Sequence, residues 1–322
     1  SNECSRPSFN LRSVSPLYCL TKQRKESKME NEISKYERSA IASIHEWKNP
    51  QIGWFGRTMK VINWPLEKAG DLITEVPGVD WVIEKVIGGL VSLLNDLAHW
   101  SVRPDAIYEE YRKTGFDNIK TPSDIFSLDL ENADRVNGWL GAKYKTLASA
   151  EGAGAGYIGL PGIPPDIVAL ITLNQRAIGE YATYYGFDIS SQQERLFALN
   201  ILGLASSPND ASKQVAMAQL VRIAQDVAKK KVWRELENHS FVRIIQIIAR
   251  SLSIRLTKAK LAQVVPITGA IVGAGFNAYY TDKVCDAAFY LYRERFLAEK
   301  YGEDIIEETV KPADNFEPKF DE

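Results

Sequence analysis

Between Leu261 and Thr281 the chain runs LAQVVPITGAIVGAGFNAYYT without one charged side chain. A stretch of that kind must lie in protein or in lipid, because a helix facing water carries charge on at least one side. It has about the length of a membrane span. Gln263, Pro266, Thr268 and Asn277 dilute it, however, and its glycines weaken a helix standing alone. The preferred reading is a buried helix or hairpin of a soluble fold, ahead of a segment that enters or rests on a bilayer. From Asp282 to Leu297 the pattern becomes a helix with acids near its start and arginines near its end.

The rest of the composition fits a globular chain: of 322 residues, 45% are hydrophobic and 25% charged. A net charge of -2 hides an uneven layout. Pro208 to Lys260 holds eleven Lys and Arg against four acids, and Glu303 to Glu322 eight acids against two lysines. The basic block could meet anionic lipid or nucleic acid, but no aromatic-interleaved basic motif accompanies it, so no nucleic-acid partner is expected. Solvated helix faces account for both blocks more simply. Cys4, Cys19 and Cys285 suggest no disulfide framework, and His45, His99 and His239 stand singly, so neither a metal site nor a cofactor is expected. The expected location is the cytoplasm, with the inner face of a membrane as the place of any peripheral attachment.

Residues 1–30, rich in Ser, Lys and Arg, read as a disordered basic leader, and 310–322 as an acidic flexible tail. Between them, 31–309 reads as one domain. Ile33, Tyr36, Ala40, Ile41, Ile44 and Trp47 recur at helical spacing, stopped by Asn49-Pro50. Two further helices are expected on either side of Pro77-Gly78. Thr121-Pro122-Ser123-Asp124 and Ser207-Pro208-Asn209-Asp210 each place a capping side chain, a proline and an acid where a helix begins. Ser190-Ser191-Gln192-Gln193-Glu194 offers a capping box. Ala133, Val136, Leu140, Tyr144 and Leu147 form one more apolar stripe, and no alternating run argues for a strand. The expected fold is all-α, a single globular multi-helix domain of about ten helices with Gly-rich apolar hairpin segments.

Shifting Gly159 to Ile189 by 116 positions matches Asp166 with Asp282, Tyr185-Gly186 with Tyr301-Gly302, and Asp188-Ile189 with Asp304-Ile305. Internal duplication and coincidence both remain open.

Three places could carry chemistry. Gly154, Gly156 and Gly159 spell a formal G-x-G-x-x-G, but the fingerprint needs a strand before it and Lys143 to Ala150 looks helical. Close helix packing at small residues is the better reading of these glycines and of Gly269 and Gly273. Phe241 to Lys260 places Arg243, Arg250 and Lys260 on one helical face and Phe241, Ile245, Ile248 and Leu252 on another. That is the layout of a basic interfacial helix, and equally of a core helix with a solvated back. Lys229, Lys230 and Lys231 add positive charge just upstream. Membrane or ligand contact is therefore expected at these lysines, Arg243, Arg250, Gly269, Gly273 and Asn277. If the chain is an enzyme, the candidates are Asp166, Arg176, Glu180, Asp282 and Arg293, with capping and ion pairing as the plainer account of each.

Ala148-Ser149-Ala150-Glu151-Gly152, Leu160-Pro161-Gly162, Arg176-Ala177-Ile178, Tyr185-Gly186-Phe187-Asp188 and Glu194-Arg195-Leu196-Phe197 together resemble the first signature of the EcsC family. Val265-Pro266-Ile267-Thr268-Gly269-Ala270, Gly273-Ala274-Gly275-Phe276-Asn277 and Arg293-Glu294-Arg295-Phe296-Leu297 resemble its second. The resemblance covers Ile62 to Tyr301 and implies a bacterial protein associated with secretion and membrane physiology, with a membrane transporter as a partner. It carries over no reaction and no catalytic set. The resulting expectation is a non-enzymatic, peripheral membrane-associated or lipid-binding module. The alternatives are a hydrolase-type enzyme with a carboxylate and arginine cluster, and an adaptor for a partner helix.

Overall fold

The computed structural model describes residues 33–49, 101–151, 165–206 and 269–308, with further helical positions within 87–94, 216–224 and 246–250. Among these residues every regular element is an α-helix, so the fold is all-α as the patterns predict. In chain order the elements are α1 (Lys35–Lys48), α2 (Pro104–Lys113), α3 (Pro122–Ile125), α4 (Leu130–Asn137), α5 (Leu140–Glu151), α6 (Pro165–Tyr184), α7 (Gln192–Ala205), α8 (Gly269–Tyr301) and α9 (Asp304–Glu308).

Helix starts follow local chemistry. Ser34 Oγ accepts from the Glu37 amide at 3.1 Å while the Glu37 carboxylate accepts from the Ser34 amide at 3.0 Å, closing a capping box on α1. Asp124 accepts from both the amide and the hydroxyl of Thr121 at 2.8 Å, which starts α3 behind Pro122. The two long helices stop alike: Gly186 after α6 has φ 86° and Gly302 after α8 has φ 105°, the left-handed turn that glycine adopts without a Cβ penalty. Phe187 N donates back to Ala182 O at 2.8 Å across the first of these stops.

Helix α8 is the axis on which the others pack. Thirty-three residues make it about 50 Å long. Its neighbours can be ordered by their contacts. Lys48 pairs with Glu294, Ser43 meets Arg293 and Lys300 reaches Glu37, so α1 runs antiparallel to α8. Glu194 meets Arg295, Phe197 meets Tyr292 and Ser206 meets Tyr280, so α7 is antiparallel too. Asn174 meets Thr281, Tyr181 meets Phe289 and Tyr185 meets Phe296, so α6 runs parallel to it. Helix α5 closes the remaining side, antiparallel to α6, with Lys143 on Glu180 and Lys145 on Asp282. Tyr292, Phe296, Phe197, Tyr185 and Tyr144 are all fully buried where these helices meet. Each such side chain stabilises the fold by about 1.5–3 kcal/mol through burial alone.

The structure departs from the patterns in four ways. The stripe Ala133 to Leu147 is two helices, because Asn137 and Gly138, both weak helix formers, turn the chain between α4 and α5. Its last member, Leu147, is 40% exposed, and Ala148, four residues after Tyr144, faces the core instead. The apolar run does not precede a helix beginning at the acids: from Gly269 it is already α8, and Asp282 lies thirteen residues inside it. Packing of its later turns against α1, α5, α6 and α7 outweighs the low propensity of the glycines near its start. Among the described residues neither a Gly-rich hairpin nor internal duplication is shown: α6 and α8 end on matching Tyr-Gly turns, but Asp166 is the second residue of its helix and Asp282 is deep within the other. The expected helices on either side of Pro77-Gly78, the leader and the acidic tail lie outside the described residues, apart from helical positions at 87–91 and 94.

Candidate functional site

Three consecutive charges, Arg293, Glu294 and Arg295, organise the lower half of α8. Successive residues on a helix point about 100° apart, so a fully buried triplet needs a partner on three sides. Arg293 Nε and Nη2 donate to Asp134 of α4 at 3.0 and 2.8 Å. Glu294 pairs with Lys48 of α1. Arg295 forms a two-pronged pair with Glu194 of α7, both contacts at 2.6 Å. Burial opposes the Arg295 charge, yet the Glu194 carboxylate holds its pKa above the ordinary value. Its guanidinium lies 4.0 and 4.4 Å from the ring centres of Phe187 and Phe197. Asp134 also accepts from Tyr185 at 2.6 Å and Tyr36 at 2.9 Å. Arg293 is thereby a structural clasp. It stands three turns, about 16 Å, from Asp282 along α8, so these two candidates do not form one constellation.

A second charged group lies across α5, α6 and α8. Glu180 accepts from Arg176 Nε at 3.1 Å and Lys143 Nζ at 2.6 Å, and Asp282 from Lys145 at 3.0 Å. Burial, then the Glu180 charge, pushes the Tyr144 phenol up. Burial, then Asp286 and Asp282, pushes the Cys285 thiol up as well. The thiol is the weak, protonated form at neutral pH, and each catalytic candidate whose side chain is described has an ionic partner. Arg176 and Glu180 pair as their spacing predicts. This arrangement balances charge over a half-exposed helix face.

The upper half of α8 is different in kind. From Gly269 to Thr281 it carries no charge. Against it, Asn174 of α6 donates through Nδ2 to Leu170 O at 2.7 Å and to Thr281 Oγ1 at 3.1 Å. The Oδ1 atoms of Asn174 and Asn277, and both amide atoms of Gln175, are buried without a hydrogen-bond partner. Each such group costs about 1–3 kcal/mol if it stays unmatched. Asn277 was legible as a candidate. Asn174 was not, because α6 reads as an ordinary apolar helix and only its parallel pairing with α8 brings it there.

The other expected contact residues divide. Gly269 and Gly273 lie in the first turns of α8, and Asp166 in the first turn of α6. Arg250 is helical and exposed, with Ala249 beside it buried, in keeping with the amphipathic layout read for that segment. Lys229, Lys230, Lys231 and Arg243 lie outside the described residues, as do the glycines of the G-x-G-x-x-G. The lead-in to those glycines is α5, a helix and not the strand a dinucleotide fingerprint requires. No described helix is long and apolar enough to cross a membrane.

An all-α domain built around one long, charge-clasped helix matches the EcsC protein family over residues 26–297, and the chain belongs to that family. It is 25% identical over 271 residues to a Bacillus subtilis protein, Uncharacterized protein YdbA, spanning 82% of this chain and 93% of that one. It is also 25% identical over 196 residues to Protein EcsC of the same organism, spanning 60% of this chain and 76% of the other. No solved structure is significantly similar.

Proposed function

We propose that the chain is a non-enzymatic helical module that binds a lipid-like ligand or rests on the inner face of the membrane, serving membrane transport or secretion beside a transporter. The observation that carries this reading is the division of α8. Its lower half is fixed by ion pairs on three sides, and its upper half, about 20 Å long, is built only from apolar and uncharged polar residues. An uncharged half-helix that adjoins a rigid clasp suits an acyl chain or a bilayer surface better than a charged substrate. The amphipathic placement of Arg250 supports attachment at an anionic surface.

Flotation with anionic and neutral liposomes at low and high salt, with lipid extracted from the purified protein identified by mass spectrometry, tests the reading. Salt-sensitive flotation or a co-purified lipid is the expected result. Neutralising Lys229 to Lys231, Arg243 and Arg250 should weaken the salt-sensitive part. The absence of both flotation and co-purified lipid would sink the proposal.

A further inference from the structure

Resting on the lipid reading above, we infer that the seam between α6 and the upper half of α8 receives the hydroxyl groups of an uncharged lipid headgroup, such as a monoacylglycerol or a glycosylated diacylglycerol. The orientation of Asn174 is fixed, because its Nδ2 already serves Leu170 O and Thr281 Oγ1, so the atom left without a partner is the carbonyl oxygen. Asn277 sits one turn above Thr281 on the same face of α8, and its Oδ1 is likewise unmatched. Native folds leave few buried polar atoms unpaired, and here the two side-chain amides that flank Thr281 share the condition.

Their chemistry selects the ligand. Two unmatched carbonyl acceptors, with no cation in the uncharged half of α8, call for O–H groups. A phosphate would set its own acceptor oxygens against these carbonyls, and the cations Arg176, Lys145 and Lys283 on the surrounding helices pair with Glu180, Asp282 and Asp286. Unpartnered atoms also occur at Asn137, Tyr144, Thr172, Gln175, Arg195 and Tyr292.

The test is titration of the full chain, read by native mass spectrometry, with monoolein, with methyl oleate, which keeps the chain and lacks the hydroxyls, and with dioleoyl phosphatidic acid. Monoolein should bind at least tenfold more tightly than either. Asn174→Leu and Asn277→Leu should each erase that preference and leave methyl oleate unchanged. Asn277 Oδ1 has no partner to lose, so Asn277→Leu should keep a near-native melting temperature and still weaken monoolein. Equal binding of monoolein and methyl oleate, a preference for phosphatidic acid, or full monoolein binding by folded Asn277→Leu would overturn the inference while leaving lipid binding intact. Retention of none of the three would overturn both.

Discussion

Arg293 and Arg295 leave α8 on nearly opposite sides, one to Asp134 of α4 and the other to Glu194 of α7, so two helices far apart in the chain are tied through a single turn. Both arginines are buried, and so are both carboxylates. A pair of this kind adds little beyond what well-packed apolar residues would, but losing one partner strands the other.

Replacing Asp134 by Ala should therefore cost about 3–5 kcal/mol, read from urea denaturation midpoints. It would leave Arg293 and the hydroxyls of Tyr185 and Tyr36 without their shared acceptor. Asp134→Leu combined with Arg293→Met should recover most of the loss. A double variant as unstable as the single would show that the clasp is worth more than apolar packing.

Arg295→Lys keeps the charge but gives up the two-pronged contact with Glu194 and the stacking on Phe187 and Phe197. It should destabilise the protein by about 2 kcal/mol. Stability equal to the unsubstituted chain would rule out the planar guanidinium as the reason for arginine here.

Gly186 and Gly302 both hold positive φ, yet they should respond unequally to alanine. At Gly186 a Cβ would stand 2.8 Å from Pro122 O and 3.0 Å from Phe126, whereas at Gly302 it meets nothing within 4 Å. Gly302→Ala should cost only the conformational penalty of about 1–2 kcal/mol. Gly186→Ala should cost clearly more, and equal melting temperatures for the two would contradict the contact.

Acid should weaken the junction of α1 with α8 first. Burial alone would raise the Glu37 carboxyl, but hydrogen bonds from the Ser34 amide, Tyr301 and Lys300 outweigh it and hold the pKa below its ordinary value. A depressed carboxyl contributes stability above its unfolded pKa and loses it as pH falls through the folded one. Denaturation midpoints should thus decline below about pH 4.5, and Glu37→Gln should flatten that decline. An unchanged slope in Glu37→Gln would assign the acid sensitivity to other groups.

With Cys4 and Cys19 changed to Ser, the folded protein should show almost no reaction with a thiol reagent at neutral pH. Cys285 is buried, and burial followed by the charges of Asp286 and Asp282 pushes its thiol up. One equivalent should appear on unfolding. Rapid native labelling would place the α5/α8 contact open to solvent.

Much of this architecture was legible in short range. The start at Thr121 and the Arg176–Glu180 pair depend on residues three or four apart, and each is in place. Glu194 shows the limit. It completes only half of the box predicted with Ser191, whose hydroxyl accepts from its amide at 3.2 Å, because its carboxylate is taken by Arg295, 101 residues away. Likewise Asp282 reads as the opening acid of a helix until packing with Asn174 carries that helix far upstream of it. The one local hint was the triplet Arg293-Glu294-Arg295 itself. Three neighbouring charges inside an apolar pattern cannot share one solvent face, so they must either spoil a core or be answered from all round it.

The placement of that triplet also orders events at the ribosome. Glu37, Asp134 and Glu194 emerge long before Lys300, Arg293 and Arg295, the cations they meet in the finished fold. Until the last helices are made, the early ones carry acids that resist burial and aromatic faces with nothing to close over them. Completion of this core is consequently a late, long-range step. A nascent chain halted before α8 should stay open to proteases and chaperones, whatever helices it has already formed.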